Sequence, residues 1–136
     1  MMSDIFCKII SGEIPSAKIY EDDDVLAILD LSQATKGHTL VLSKKHYANL
    51  LEIEDYEYLK VMATVKELAK AIVKTFNADG VNILNNCNEE AGQTIMHFHV
   101  HIIPRYKGDD LKLAFVDHQG KYDLNELKDE IIKNIE

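Results

Sequence analysis

The sequence predicts an α+β fold, a mainly antiparallel sheet with helices gathered on it. Three observations carry this reading. One long segment repeats apolar residues at helical spacing, several short apolar runs are punctuated by polar turns, and one run alternates histidine with apolar residues at the period of a strand. At 136 residues the chain has the size of a single domain with one core, read as residues 1–136 without internal repeat, linker or low-complexity tract.

Taken in order, Ser3 to Gly12 reads as a short helix, with Ser3 as N-cap, apolar positions at helical spacing and Gly12 as the stop. Ile14-Pro15 forces an extended exit. Lys18 to Glu21 and Val25 to Leu29, separated by Asp22-Asp23-Asp24, read as a hairpin. Gly37 to Ser43 reads as a third strand. From Asp55 to Phe76, the residues Leu59, Met62, Val65, Leu68, Ala69, Ile72, Val73 and Phe76 mark a long amphipathic helix. A turn at Asn77-Ala78-Asp79-Gly80 leads into strands at Val81 to Leu84 and His97 to Ile103, with a polar loop from Asn85 to Thr94 between them. From Asp123 onward, Leu124, Leu127, Ile131 and Ile135, with Asp123 and Glu126 placed as a capping box, predict a terminal helix.

Composition narrows the function. The apolar fraction is 46%, charged residues are 28%, and Gly (6) and Pro (2) are sparse, which is the composition of a folded globular chain. A net charge of −8, with lysines scattered among carboxylates, gives no footprint for polymeric nucleic acid, although a local cluster of amides, hydroxyls and imidazoles can still hold a small anion. No apolar run approaches the roughly 18 residues needed to span a bilayer, and no export signal is evident. The expected home is therefore the cytoplasm, with Cys7 and Cys87 as reduced thiols.

The informative segment is His97-Phe98-His99-Val100-His101-Ile102-Ile103-Pro104. On a strand its three imidazoles share one face, and Phe98, Val100 and Ile102 share the other, toward the core. Imidazoles are costly to bury there without partners. Two chemical readings follow: a metal site, because His-x-His supplies neutral imidazole ligands, or nucleophilic catalysis in which one imidazole attacks phosphorus and its neighbours manage protons and charge. Gly92-Gln93-Thr94 just before the run offers flexible backbone, an amide and a hydroxyl, donors that suit an anionic substrate. Asp30 and Leu31, after an apolar strand, could pair a carboxylate for sugar hydroxyls with an apolar wall for a base.

These residues resemble the histidine-triad (HIT) nucleotide-binding proteins, in particular bacterial members of the Hint type. The likeness runs from Ile5-Phe6-Cys7-Lys8-Ile9-Ile10 and Gly12-Glu13-Ile14-Pro15, through Tyr20-Glu21-Asp22, Asp30, Gly37-His38-Thr39-Leu40-Val41 and Lys45-His46. It continues to Ala91-Gly92-Gln93-Thr94 and His97 to Arg105, so that it covers about residues 4–106, leaving a helical tail over about 107–136. The resemblance implies that His99 attacks the α-phosphorus of a purine nucleoside phosphoramidate, giving a nucleotidyl-histidine that water hydrolyses. It implies that His101 contacts phosphate oxygens, Thr94 stands near the leaving group, and His97 and His38 support the nucleophile and the strand geometry. Gln93 and Asn86 would be polar contacts to the phosphoryl group or nearby backbone, and Asp30 would hold the ribose hydroxyls. Phe6, Ile9, Ile14, Ile28 and Leu31 would form the base pocket. The resemblance also implies a homodimer whose two five-stranded sheets join into one, with the long helix and the following strand at the interface.

Such chemistry requires no cofactor. Many bacterial relatives begin with Cys-x-x-Cys, which with histidines like His46 and His97 looks like a structural zinc site; here Asp4 holds the first position. The degenerate set Asp4, Cys7, His46 and His97 is one reading, and Cys7 as a small apolar residue on a helix is the other. Some eukaryotic relatives carry a C-terminal Trp that reaches the partner's active site, whereas this chain has no Trp, so leaving-group preference does not transfer. The alternatives to a phosphoramidase are a dinucleoside polyphosphate hydrolase of the same family and, in another class, a nucleotide-binding signalling or interaction protein with slow incidental hydrolysis.

Overall fold

The structure is a computed structural model that describes residues 4–136. Ser3, expected to cap the first helix, lies outside the described residues. Helix α1 spans Ile5–Ile10, and its N-cap is Asp4, whose side chain accepts from Cys7 N. The described residues form five strands, β1 (Lys18–Glu21), β2 (Val25–Leu29), β3 (Thr39–Ser43), β4 (Gly80–Leu84) and β5 (His99–Arg105). They make one sheet in the order β1-β2-β3-β5-β4. Every pairing is antiparallel. Helix α2 (Asp55–Phe76) connects β3 to β4, and α3 (Leu124–Lys133) follows the sheet.

The expected hairpin and α2 stand at the expected residues. Helix α2 contains neither Gly nor Pro and ends at Asn77, which adopts the left-handed conformation (φ 51) that Asn tolerates after a helix. Its residues Val61, Val65 and Ile72 pack on one face of the sheet, against Val25, Ala27, Val41, Phe98, Val100 and Ile102. On the opposite face, Leu26, Ile28, Leu40 and Leu42 meet Phe6 and Ile9 of α1. Because both faces are covered, β2 and most of β3 read as continuous apolar runs rather than alternating ones.

Two strands begin later than expected. Gly37 and His38 precede β3 because Gly37 takes φ +100, and its backbone lies so close to α2 that an added Cβ would stand 2.8 Å from the Phe76 ring. His97 precedes β5, its amide turned to the carbonyl of Ile95 (2.9 Å) instead of a neighbouring strand. Strand β5 then runs on to Arg105, two residues past the expected Ile103. The loop between β4 and β5 contains a short 3₁₀ turn, Glu89–Ala91. Helix α3 is capped by Asp123, which accepts from the amides of Asn125 and Glu126, and stops before Ile135. None of its residues is buried, and Leu124, Leu127, Ile131 and Ile132 are exposed.

Gly37 therefore sets the distance between the His38 loop and α2. Gly37→Ala is expected to cost about 2 kcal/mol, from a strained left-handed backbone and a collision with Phe76. A lowered urea midpoint at unchanged slope would show this, and an unchanged midpoint would mean that the loop has room to move.

Candidate active site

The functional face of the sheet is the one that carries Leu40 and Leu42, since Leu42 pairs with His99 and Leu40 with His101 across β3 and β5. His99 opens β5. Its Nδ1–H donates to the carbonyl of His97, 2.6 Å away, so in the neutral ring Nε2 carries the lone pair. Asn85 Nδ2 donates to the carbonyl of His99 (2.8 Å), tying the backbone of His99 to the end of β4. Burial pushes the His99 pKa below its ordinary value, with the bond to His97 acting the other way, so the ring is neutral near pH 7.

A second chain of hydrogen bonds fixes the proton on His101. The amide of Ala34 donates to His38 Nδ1 (3.1 Å), so His38 carries its proton on Nε2. That nitrogen lies 2.9 Å from His101 Nδ1, which accepts. His101 is thereby left with its proton on Nε2, as a donor. Burial, then the neighbouring His99 and His38, push the His101 pKa down to about 4, so it donates without being charged. Burial likewise lowers His38, against the pull of Asp30. Asp30, His38 and His101 lie close enough together to suggest a metal site. The donor–acceptor contact between the two imidazoles makes it a hydrogen-bonded relay instead.

The loop that supplies His38 is braced by Gln33. Its Nε2 donates to the carbonyls of Asp30 (2.6 Å) and His38 (2.7 Å), and its Oε1 accepts from the amides of Gly37 (2.8 Å) and His38 (3.1 Å). Asp30 Oδ1 accepts from the amide of Ser32 (2.8 Å).

Between α1 and this face lies a cavity of about 350 Å³, large enough for a small ligand. Phe6, Ile9, Ile14 and Ile28 line it, as do Asp30, Leu31, Thr94, His99 and His101. The Phe6 ring meets His99 edge-on at 4.9 Å between centroids. Leu31 stands at the rim, fully exposed. Four site residues expected from the sequence do not line the cavity: His38, which reaches it only through its hydrogen bond to His101, and His97, Gln93 and Asn86. Gln93 is buried, with Nε2 donating to the carbonyls of Ala48 (2.6 Å) and Ile95 (3.0 Å) and Oε1 accepting from the amide of Asn88 (2.7 Å), so its polar atoms are committed to backbone. Asn86 lies beside the Gly92 turn, its Nδ2 3.4 Å from where a Gly92 Cβ would stand.

His97 points elsewhere on the same side. Its Nε2–H donates to the carbonyl of Ser43 (2.6 Å), which turns Nδ1 toward Asp4, Cys7 and His46. His97 Nδ1 is 3.2 Å from Asp4 Oδ2, 3.6 Å from Cys7 Sγ and 3.3 Å from His46 Nδ1. His46 Nδ1 is 3.0 Å from Asp4 Oδ2 and 3.6 Å from Cys7 Sγ. Zinc bonds of about 2.0–2.3 Å in a tetrahedron give edges of about 3.3–3.6 Å; the three distances among Cys7, His46 and His97 fall in that range and the two to Asp4 are somewhat shorter, so the donor set suits a zinc-sized ion.

Sequence reasoning passed over Gln33, Asn85 and the cavity-lining Ile5, Ser16, Leu40 and Ile95. Gln33 and Asn85 act through backbone partners, which a linear pattern does not display. Leu40 could have been found from its alternation with His38 toward the histidine face.

The HIT domain model matches residues 11–108. The chain is 48% identical over 135 residues to Protein hit of Bacillus subtilis, covering 96% of this chain and 93% of that protein. It is 44% identical over 107 residues to adenylylsulfatase HINT3 of Arabidopsis thaliana, covering 79% of this chain and 54% of that protein. A crystal structure from Streptococcus mutans superposes with a TM-score of 0.95 at 48% identity, covering 100% of this chain and 87% of that one. With the domain model matched across both histidine clusters and the fold shared end to end, the chain belongs to the HIT family.

Proposed function

We propose that this chain hydrolyses purine nucleoside phosphoramidates through a nucleotidyl-histidine on His99. The observation that carries the reading is the fixed tautomer of His99, which leaves Nε2 unprotonated on the wall of the cavity. The apolar wall of Phe6, Ile9, Ile14 and Ile28 suits a purine, and the Asp30 carboxylate suits the ribose hydroxyls.

In the first step the His99 Nε2 lone pair forms a bond to the α-phosphorus as the P–N bond to the leaving amine breaks. The amine keeps the bonding pair and takes up a proton from solvent at the cavity mouth, where Thr94 is exposed. His101 Nε2–H donates to a non-bridging phosphoryl oxygen as charge builds there. In the second step water forms the new P–O bond, the P–Nε2 bond breaks, and a proton returns to solvent. The products are a nucleoside monophosphate and an amine, with His99 neutral again. No cofactor enters either step.

The relative HINT3 of Arabidopsis thaliana, an adenylylsulfatase by name, favours a second reading in which the leaving group is an oxyanion and a P–O bond breaks. Dinucleoside polyphosphates belong to that class. A slow hydrolase whose role is nucleotide binding is the third reading.

We also propose a homodimer within the cytoplasm. Among the described residues β4 is an edge of the sheet, and beside it Met62, Val65, Ala69, Val73, Val81 and Ile83, with Lys66 and Lys70, line a mainly apolar groove of about 590 Å³. Pairing β4 edges would join two sheets and cover this groove. Ile83→Asp is expected to convert a dimer to a monomer in sedimentation velocity, and an unchanged sedimentation coefficient would place the interface elsewhere.

The function is tested by steady-state hydrolysis of an adenosine phosphoramidate, a diadenosine polyphosphate and adenosine phosphosulfate. His99→Ala should lower turnover about a thousandfold or more and retain AMP affinity; full turnover in the variant would remove His99 as nucleophile. Protonation of His99 destroys the attacking lone pair, so activity is present above its pKa and lost as pH falls through it. Because that pKa is lowered from 6.5, the midpoint of the acid limb of kcat/KM should lie below pH 6.5. A midpoint at or above pH 6.5 would contradict this assignment.

A further inference from the structure

We propose that Gln33, which lies outside the His99 cavity, is a positioning residue for the reaction: it aims the Ala34 amide at His38 and so fixes His101 as a proton donor to the phosphoryl group, a role that rests on the phosphoramidase reading of that cavity.

A chain of imidazoles needs one partner that cannot reverse its role. A neutral histidine can carry its proton on either ring nitrogen, so the 2.9 Å contact between His38 Nε2 and His101 Nδ1 accommodates a proton on either side. Asp30 Oδ2 stands 3.6 Å from His38 Nε2, too far to fix the proton by itself. A backbone amide, by contrast, only donates. The Ala34 amide, 3.1 Å from His38 Nδ1, makes that nitrogen an acceptor, places the His38 proton on Nε2 and leaves His101 Nδ1 to accept it. With the amide turned away, both rings could protonate at Nδ1. His101 would then face the cavity with a lone pair beside that of His99, where a phosphoryl oxygen needs a donor.

The peptide that carries this amide begins at Gln33, and the Gln33 side chain uses all four of its hydrogen-bonding positions on backbone. Nε2 donates to the carbonyls of Asp30 and His38, and Oε1 accepts from the amides of Gly37 and His38. Asp30 directly follows β2 and Gly37-His38 directly precede β3, so one side chain ties residue 33 to the ends of both strands. The backbone bonds of the same turn, from the Asp30 amide to the His38 carbonyl (3.0 Å) and from the His38 amide to the Thr35 carbonyl (3.1 Å), do not include residue 33. At this size only a neutral amide satisfies two carbonyls and two N–H groups together; a carboxylate would set its charge against both carbonyls. Gln33 is exposed and belongs to neither apolar core. Its bonds are therefore not a by-product of burial, and replacing it removes no core packing.

The test compares the full-length chain with Gln33→Glu and with Gln33→Met. Ring tautomers are read by imidazole nitrogen NMR of isotopically labelled protein, together with the scalar coupling across the His38–His101 hydrogen bond. Turnover is read on an adenosine phosphoramidate. The unsubstituted protein is expected to show His38 and His101 both protonated on Nε2 and coupled to each other. Either variant should lose the coupling, show His101 with its proton partly on Nδ1, and lower kcat about tenfold or more. His101 protonated on Nδ1 in the unsubstituted protein, unaltered tautomers in both variants, or undiminished kcat despite altered tautomers would each overturn the proposal. The first of these outcomes is readable even if a variant does not fold. Tautomers that respond to Gln33 in a protein that turns over no nucleoside phosphoramidate would instead overturn the phosphoramidase reading and leave the control of His101 by Gln33 supported.

Discussion

The hydrogen bond from His99 Nδ1–H to the His97 carbonyl, 2.6 Å long, closes on the chain that carries it, at the entrance to β5. It decides which nitrogen presents a lone pair to the cavity. It also needs His97 to stand outside the regular strand, because a carbonyl engaged in a ladder would be turned sideways. The irregular start of β5 and the Asn85 amide on the His99 carbonyl are thus parts of one device. The opposite tautomer of His99 would turn a donor into the cavity in place of the lone pair.

The second relay, from the Ala34 amide through His38 to His101, gives the neighbouring imidazole the complementary assignment. His99 presents a lone pair and His101 a proton, two residues apart on one face, although both are neutral. Burial enforces that neutrality by lowering both pKa values. A chain of net charge −8 can therefore hold an anionic group through oriented dipoles without lysine or arginine lining the cavity. The requirement for orientation explains the rigidity around it: Gln33 occupies four backbone groups of the loop that carries His38, and Gly37 lets that loop lie against Phe76.

Much of this was legible in the sequence because hydrophobic spacing is a local signal. Asp55 to Phe76 shows one apolar stripe, and Val25 to Leu29 is a short apolar run beside a turn, so both elements stand where the pattern put them. The alternation of His99 and His101 with Val100 and Ile102 likewise places two imidazoles on one face. The shortfall concerns groups whose partners are distant or are backbone. His97 fits the same alternation yet serves a different cluster, because its direction is set by the Ser43 carbonyl and by α1. Gln93 sits in the motif next to Thr94, but its amide braces the loop through Ala48, Ile95 and Asn88. The amphipathic pattern from Leu124 forecast α3 correctly while saying nothing of what its apolar face would meet, since periodicity reports a face and not its partner.

The central claim is that His99 Nε2 forms a bond to phosphorus. Rapid mixing with an adenosine phosphoramidate, quenching in alkaline denaturant where phosphorus–imidazole bonds survive, and peptide mass spectrometry tests it directly. The account predicts a nucleoside monophosphate adduct on the peptide containing His99, localised to that residue and decaying at the rate of product formation. Product formation in every turnover with an adduct at no histidine, or at His97 or His101 instead, would contradict it.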